Sequence, residues 1–174
     1  MEPTEVLRDK KLLIVDDEPD ILETLKDLLD MCFIDTAPNY ETALKFIEKE
    51  RYDAAIFDIM GVQGYDLLKL ADEKGIPVLM LTAHALNPEA LIKSIKIGAQ
   101  AYIPKEKMPE IDIYLAETLH ARAKGIIKQA NWFARLKSFF DSQFGPDWRK
   151  TDPEFWQAFD RNYIVTQSEL EEML

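Results

Sequence analysis

The chain has 174 residues, enough for one domain or one domain with a small appendage. Its composition, 47% hydrophobic and 30% charged, is globular, no run approaches the roughly 18 apolar residues of a membrane span, and the opening MEPTEVLRDKK lacks the apolar stretch of a signal peptide, so the expected location is the cytoplasm. A net charge of −11 disfavours non-specific nucleic-acid binding, and a single cysteine, Cys32, excludes an internal disulfide and reads as a small packed residue.

In chain order, LLIV (12–15) is an apolar, β-branched strand followed at once by Asp16, Asp17 and Glu18. PDILETLKDLLDM (19–31) repeats apolar residues at helical spacing with Pro19 in its first turn; Glu18 reads as its cap. FIDTA (33–37) is a short strand, and NYETALKFIEKE (39–50) is a helix capped by Asn39. DAAIFDI (53–59) is an apolar strand ending in an acid, YDLLKLADEKG (65–75) a helix closed by Gly75, and IPVLMLTA (76–83) the strongest strand. NPEALIKSIKIG (87–98) is a helix between Asn87 and Gly98, and AYI (101–103) is a fifth strand. From Pro109 a helix begins again. Its apolar stripe, Ile111, Leu115, Leu119, Ile126, Ala130, Phe133, Phe140 and Phe144, is interrupted by Gly125. GPDW (145–148) reads as a turn, TDPEFWQAF (151–159) as a helix capped by Thr151 or Asp152, and TQSE (166–169) as a capping box opening a last helix to Leu174. The basic runs KSIK (93–96) and RAK (122–124) read as solvated helix faces, and His120 as structural or solvent-facing.

Five β/α units in succession require a parallel sheet with helices on both faces. In such sheets the site forms beyond the carboxyl ends of the strands, which places Asp16, Asp17, Asp58, Thr82 and the stretch after Ile103 on one rim. Crowded carboxylates at two strand ends suit Mg²⁺, which takes one or two carboxylates, waters and a phosphate oxygen. An aspartate there can act as nucleophile and form an aspartyl phosphate. Lys105 can balance phosphate charge, and the Thr82 hydroxyl can hydrogen-bond to it.

IVDDEPD, FDIM, LTA and GAQAYIPK resemble the signature segments of the receiver domain of two-component response regulators, over roughly residues 9–123. The resemblance implies a flavodoxin-like α/β fold, a five-stranded parallel sheet in the order 2-1-3-4-5. It implies Asp58 as phosphoacceptor, Asp16 and Asp17 as Mg²⁺ ligands with Asp58 and the backbone carbonyl of Met60, Thr82 bonding the phosphoryl oxygens and Lys105 pairing with them. Tyr102 matches an aromatic switch position that turns inward when Thr82 is drawn to the phosphate. The implied protein accepts a phosphoryl group from a histidine kinase or histidine phosphotransfer protein. It is not an enzyme beyond its own phosphorylation and dephosphorylation, and its state is read on the face of the fourth helix, fifth strand and fifth helix, by homodimerisation or a protein partner. Three features depart from the pattern: DIMGVQG has no proline and brings Gly64 at six positions after Asp58 rather than eight; Glu106 follows Lys105 where the family has a cis proline, so a trans bond is expected; and His84 sits two residues after Thr82, at the mouth of the site.

The division expected is a receiver over 1–123 and a helical extension over 124–174. The extension holds ten aromatics, including all three tryptophans. These form either a small helical core folded back on the receiver or on itself, or an exposed patch for self-association or a partner. The fifth helix is expected to continue into it. Seven basic against eight acidic residues give the extension a charge of −1, unlike a DNA-binding module. Two other readings remain: a metal-dependent phosphatase or hydrolase working through an aspartyl phosphate, which would place an acid where Met60 stands, and a receiver with a small DNA-binding tail.

Overall fold

The computed structural model describes residues 1–58, 63–83, 86–126 and 131–162. Met60, His84 and the helix expected from 166 lie outside them. A short helix α1 (Pro3–Leu7) precedes β1 (Lys11–Val15), α2 (Pro19–Leu28), β2 (Phe33–Ala37), α3 (Tyr40–Lys49), β3 (Ala54–Phe57), α4 (Gly64–Glu73), β4 (Val78–Thr82), α5 (Pro88–Ile97) and β5 (Ala101–Pro104). A tight 3-10 turn (Lys105–Glu110) leads into α6 (Ile111–Ala123), and α7 (Asn131–Phe144) and α8 (Pro153–Asn162) follow, separated by a second such turn (Trp148–Thr151).

The five strands form one sheet in the order β2-β1-β3-β4-β5, with every pairing parallel. This is the order that the resemblance implies. β1, β3, β4 and β5 are buried along nearly their whole length, because helices cover both faces of the sheet and leave no solvated side to select alternation. The caps follow the sequence: Asn39 Oδ1 accepts from the Thr42 N–H at 2.9 Å, and Asn87 Oδ1 accepts from the Ala90 N–H at 2.8 Å. Each satisfies an N–H that the helix itself cannot. All described peptide bonds are trans, Lys105–Glu106 included.

The structure differs from the expectations at five points. α1 was not foreseen; it buries Leu7 and packs on α6. Glu18 occupies the N-cap position of α2 without a side-chain cap bond; its carboxylate reaches Lys105 instead, at 3.3 Å. The last receiver helix starts at Ile111 rather than Pro109, since Pro109 falls inside the tight turn. It does not run on through Gly125: α6 ends at Ala123, and Gly125 takes a φ of 82°, which breaks the helix. Ile126, assigned to the apolar stripe, is 40% exposed.

α6 buries Tyr114, Leu115, Ala116, Glu117 and Thr118 in succession. A helix buried on consecutive positions must be covered from more than one side, and α6 is flanked by both α1 and α7. Most of the described aromatic residues after 125 are core. Trp132, Phe133, Phe140, Trp148, Trp156 and Phe159 are all buried, with Phe133 and Phe159 ring centroids 5.0 Å apart at a steep angle and Trp148 and Trp156 likewise at 5.0 Å. Such edge-to-face pairs add to what burial alone provides. The cluster lies over the sheet edge, where Phe140 packs against Tyr102 of β5 at 6.2 Å.

Candidate functional site

The rim is built by the backbone ladder itself. The Asp16 N–H donates to the Ala37 carbonyl at 3.2 Å, and the Asp58 N–H donates to the Val15 carbonyl at 2.9 Å. The parallel pairing therefore continues one residue past β1 and β3, and both carboxylates are fixed at adjoining strand ends. Thr82 closes β4 in register with Pro104 of β5, so Lys105 leaves the sheet beside it.

Asp16, Asp58 and Thr82 are buried, the two acids at 2% exposure each. The Lys105 side chain, itself 9% exposed, inserts among the acids. Its Nζ lies 3.0 Å from Asp16 Oδ2, 3.7 Å from Asp58 Oδ2 and 3.3 Å from Glu18 Oε1. Asp16 Oδ1 also accepts from the Glu18 N–H at 2.9 Å. Asp17 is exposed at the mouth, and Asp16, Asp17 and Glu18 can bring carboxylate oxygens within 4.8 Å of one another.

Burial is the largest influence on Asp16 and raises its carboxyl above the usual value, against the lowering by the Glu18 N–H and by Lys105. Burial pulls Lys105 down, but Asp16, Asp58 and Glu18 together outweigh it and hold the ammonium above its usual value. An ion pair alone would lower the acid and raise the base. Only the base obeys here, because burial outweighs the ion pair at Asp16 while three carboxylates (Asp16, Asp58, Glu18) outweigh burial at Lys105. The rim carries an excess of negative charge on hard oxygen donors, a set suited to a small divalent cation.

Tyr102 is fully buried. Its hydroxyl accepts from the Asn87 N–H at 3.3 Å, at the start of α5, and its ring meets Phe140 on the other side. The structure thus brings Asp16, Asp58, Thr82 and Lys105 to one rim, with Asp17 at its edge and Tyr102 behind it. His120 is half-buried on α6, away from these groups in sequence and element. Sequence reasoning missed Glu117, which is buried on α6 and takes two hydrogen bonds from the Arg135 guanidinium of α7, the Nε one at 2.9 Å. It also missed Lys96, read as a solvated lysine, whose ammonium reaches Asp152 at 3.1 Å and lies over the Phe155 ring at 5.7 Å.

A parallel sheet in this order, with acids, a hydroxyl and a lysine gathered on its carboxyl rim, places the chain among the doubly wound α/β domains that bind ligands at strand ends. The family is narrower than the class: a model of the response regulator receiver domain matches residues 12–115, and the chain belongs to that family. The heme response regulator HssR of Staphylococcus aureus (strain Newman) is 46% identical over 99 residues, covering 53% of this chain and 43% of that one. The chain therefore spans less than half the length of that curated relative. A CheY-like response regulator receiver domain protein from Methanospirillum hungatei JF-1 superposes with a TM-score of 0.62 at 29% identity, covering 67% of this chain and 98% of that one. A putative response regulator from Chloroflexus aurantiacus J-10-fl gives 0.58 at 33% identity, covering 66% and 99%. α7 and α8 lie beyond the stretch that the family model matches. Among the described residues no helix is long and apolar enough to cross a membrane.

Proposed function

We propose that this chain is a phosphoaccepting switch of a two-component phosphorelay, acting in the cytoplasm. The observation that carries the reading is the meeting of Asp58, Asp16 and Lys105 in one buried cluster at the ends of β3, β1 and β5, with Thr82 ending β4 between them. An Asp58 carboxylate oxygen attacks the phosphorus of a phosphohistidine on a histidine kinase or phosphotransfer protein. The new P–O bond forms as the P–N bond breaks, and the bonding pair returns to the imidazole nitrogen. The Lys105 ammonium faces the incoming negative charge, and the Thr82 hydroxyl is the hydrogen-bond donor for a phosphoryl oxygen. Asp16 and Asp17, with Asp58 and the backbone carbonyl of Met60, are the groups that would hold Mg²⁺. When bound, the ion supplies charge neutralisation for phosphoryl transfer.

The product is a modified protein rather than a released one, so the chain turns over no external substrate. Phosphorylation adds charge at the rim and biases a two-state element through Thr82 and Tyr102, and the output is a change in protein–protein contact. Because α7 and the turn before α8 lie on β5, α5 and α6, a second copy or a partner gains that face only where the tail yields it. Incubation with excess of a small acyl phosphate and Mg²⁺, followed by intact-mass analysis, tests the reading. One phosphoryl group per chain, absent without Mg²⁺, is expected. Steady release of inorganic phosphate from excess phosphate monoester would establish a phosphatase instead.

A further inference from the structure

We propose that the aromatic segment 131–162 is an intramolecular ligand of the receiver whose docking is thermodynamically coupled to the loading of the rim, with Phe140 as the positioning residue that acts through Tyr102. The inference rests on the phosphoacceptor reading and deepens it.

Tyr102 stands between two parts of the molecule. Its main chain sits two residues before Pro104, the register partner of Thr82, and three before Lys105. Its hydroxyl is held by the Asn87 N–H, on the far side of the segment that follows Thr82. Its ring is packed on Phe140, which is fully buried and belongs to the tail's own cluster through Phe144 at 5.5 Å and Trp148 at 5.9 Å. With Phe140 against it the ring cannot swing outward without displacing α7. A docked tail therefore holds Tyr102 inward, and a rim state that requires Tyr102 inward holds the tail docked.

The rest of the interface is built to be specific to this segment. The buried Glu117 of α6 takes the Arg135 guanidinium of α7, Lys96 of α5 binds Asp152, and Lys107 lies over the Phe139 ring at 5.7 Å. A tail that merely collapsed on the nearest apolar surface would not bring a charge for a buried acid. Coupling of this kind is reciprocal: whatever factor the tail lends to rim affinity, the rim ligand returns to tail docking.

All three tryptophans lie in the tail, so the protein carries its own reporter. The test uses the full chain with Mg²⁺ and beryllofluoride as the aspartyl-phosphate mimic, its binding measured independently by fluorine NMR. In the parent chain, beryllofluoride should protect the tryptophans from acrylamide quenching and shift their loss in urea to higher concentration, and Asp58→Asn should abolish both effects. Phe140→Leu keeps an apolar side chain but removes the ring contact. It should bind beryllofluoride about fivefold more weakly or worse, the low end of typical couplings, while far-UV circular dichroism shows the receiver folded. A purely structural role for Phe140 would lower urea stability and leave the beryllofluoride affinity unchanged. That result, or clear binding with an unresponsive tryptophan signal in the parent, overturns the coupling. Should Phe140→Leu fail to fold, the parent and Asp58→Asn quenching pair decides alone. If beryllofluoride does not bind the parent at all, the phosphoacceptor reading fails and the coupling falls with it.

Discussion

Replacing Lys105 by methionine keeps the apolar stem and removes the ammonium that pairs with Asp16, Asp58 and Glu18 at the rim. At an effective dielectric constant of about 20, a charge 3.0 Å from Asp16 and 3.7 Å from Asp58 attracts them with about 5.5 and 4.5 kcal/mol respectively. Burying the ammonium offsets several kcal/mol of that. The loss has a ceiling, because Asp16 can take a proton instead. From its ordinary 3.8 to pH 7, at about 1.36 kcal/mol per unit, protonation costs about 4 kcal/mol. Lys105→Met should therefore destabilise the metal-free protein by about 3–4 kcal/mol at pH 7. The sign of the pH dependence follows. Without Lys105 the Asp16 carboxyl, already raised by burial, rises further, so the folded state binds more protons than the unfolded state between that value and 3.8. Stability of the variant then increases as pH falls. At pH 5 the ceiling is only about 1.5 kcal/mol, and the deficit should shrink to that. Urea denaturation followed by circular dichroism in chelator, at pH 7 and pH 5, measures both numbers. Added Mg²⁺ should recover more stability for the variant than for the parent, since the carboxylates lose their competing cation. A variant as stable as the parent at pH 7, or a deficit that does not change with pH, would refute the placement of Lys105 as the counter-charge of the rim.

Three further outcomes are expected. Arg135→Ala strands the buried Glu117 carboxylate and should cost about 2–3 kcal/mol, below the full figure for a buried pair because the arginine side chain is a quarter exposed; Glu117→Gln in the same chain should restore part of it, read as a double-mutant cycle in urea. Burial would raise Asp141, but hydrogen bonds from Lys137 and the Trp148 indole, together with Arg149, leave it below the usual 3.8. Its stabilisation is present above that value and lost as pH falls through the folded one, so the tail's tryptophan fluorescence should change only below about pH 4, and less so in Asp141→Asn. Burial, with Asp30 and Asp53 nearby, pushes the Cys32 thiol up to about 11, and its Sγ donates to the Leu7 carbonyl at 3.3 Å. It should react with thiol reagents far more slowly at pH 8 than a free cysteine of pKa about 8.5, and at the free rate once unfolded in urea.

The receiver fold was legible because its strands are short continuous apolar runs and its helices are punctuated by Asn39, Asn87 and Gly98. Side chains of these types report backbone needs directly. The rim was legible because strand ends project their next residues to a common edge, and Asp16, Asp58, Thr82 and Lys105 all stand at such ends. The N-terminal helix was not, since PTEVL is too short to show a period. Glu18 was misread because an acid before Pro19 serves equally as a cap, and only the fold brings Lys105, 87 positions away, to it. Glu117 was invisible for the same reason. A charged residue in a helix reads as solvated until a second helix supplies the arginine. The aromatics after 125 left a core and an exposed patch both open, because sequence spacing says which residues share a face and nothing of the surface that face meets.

The central claim is that Asp58 accepts a phosphoryl group, and chemical mapping of the acceptor tests it most directly. The full chain is treated with a small acyl phosphate and Mg²⁺, reduced with borohydride, digested and sequenced by mass spectrometry. Reduction of an aspartyl phosphate leaves homoserine at the modified position. The account predicts homoserine at position 58 alone, and none when Mg²⁺ is withheld or the phosphodonor omitted. Homoserine at position 16 or 17, or a phosphorylated chain with position 58 unchanged, would contradict it.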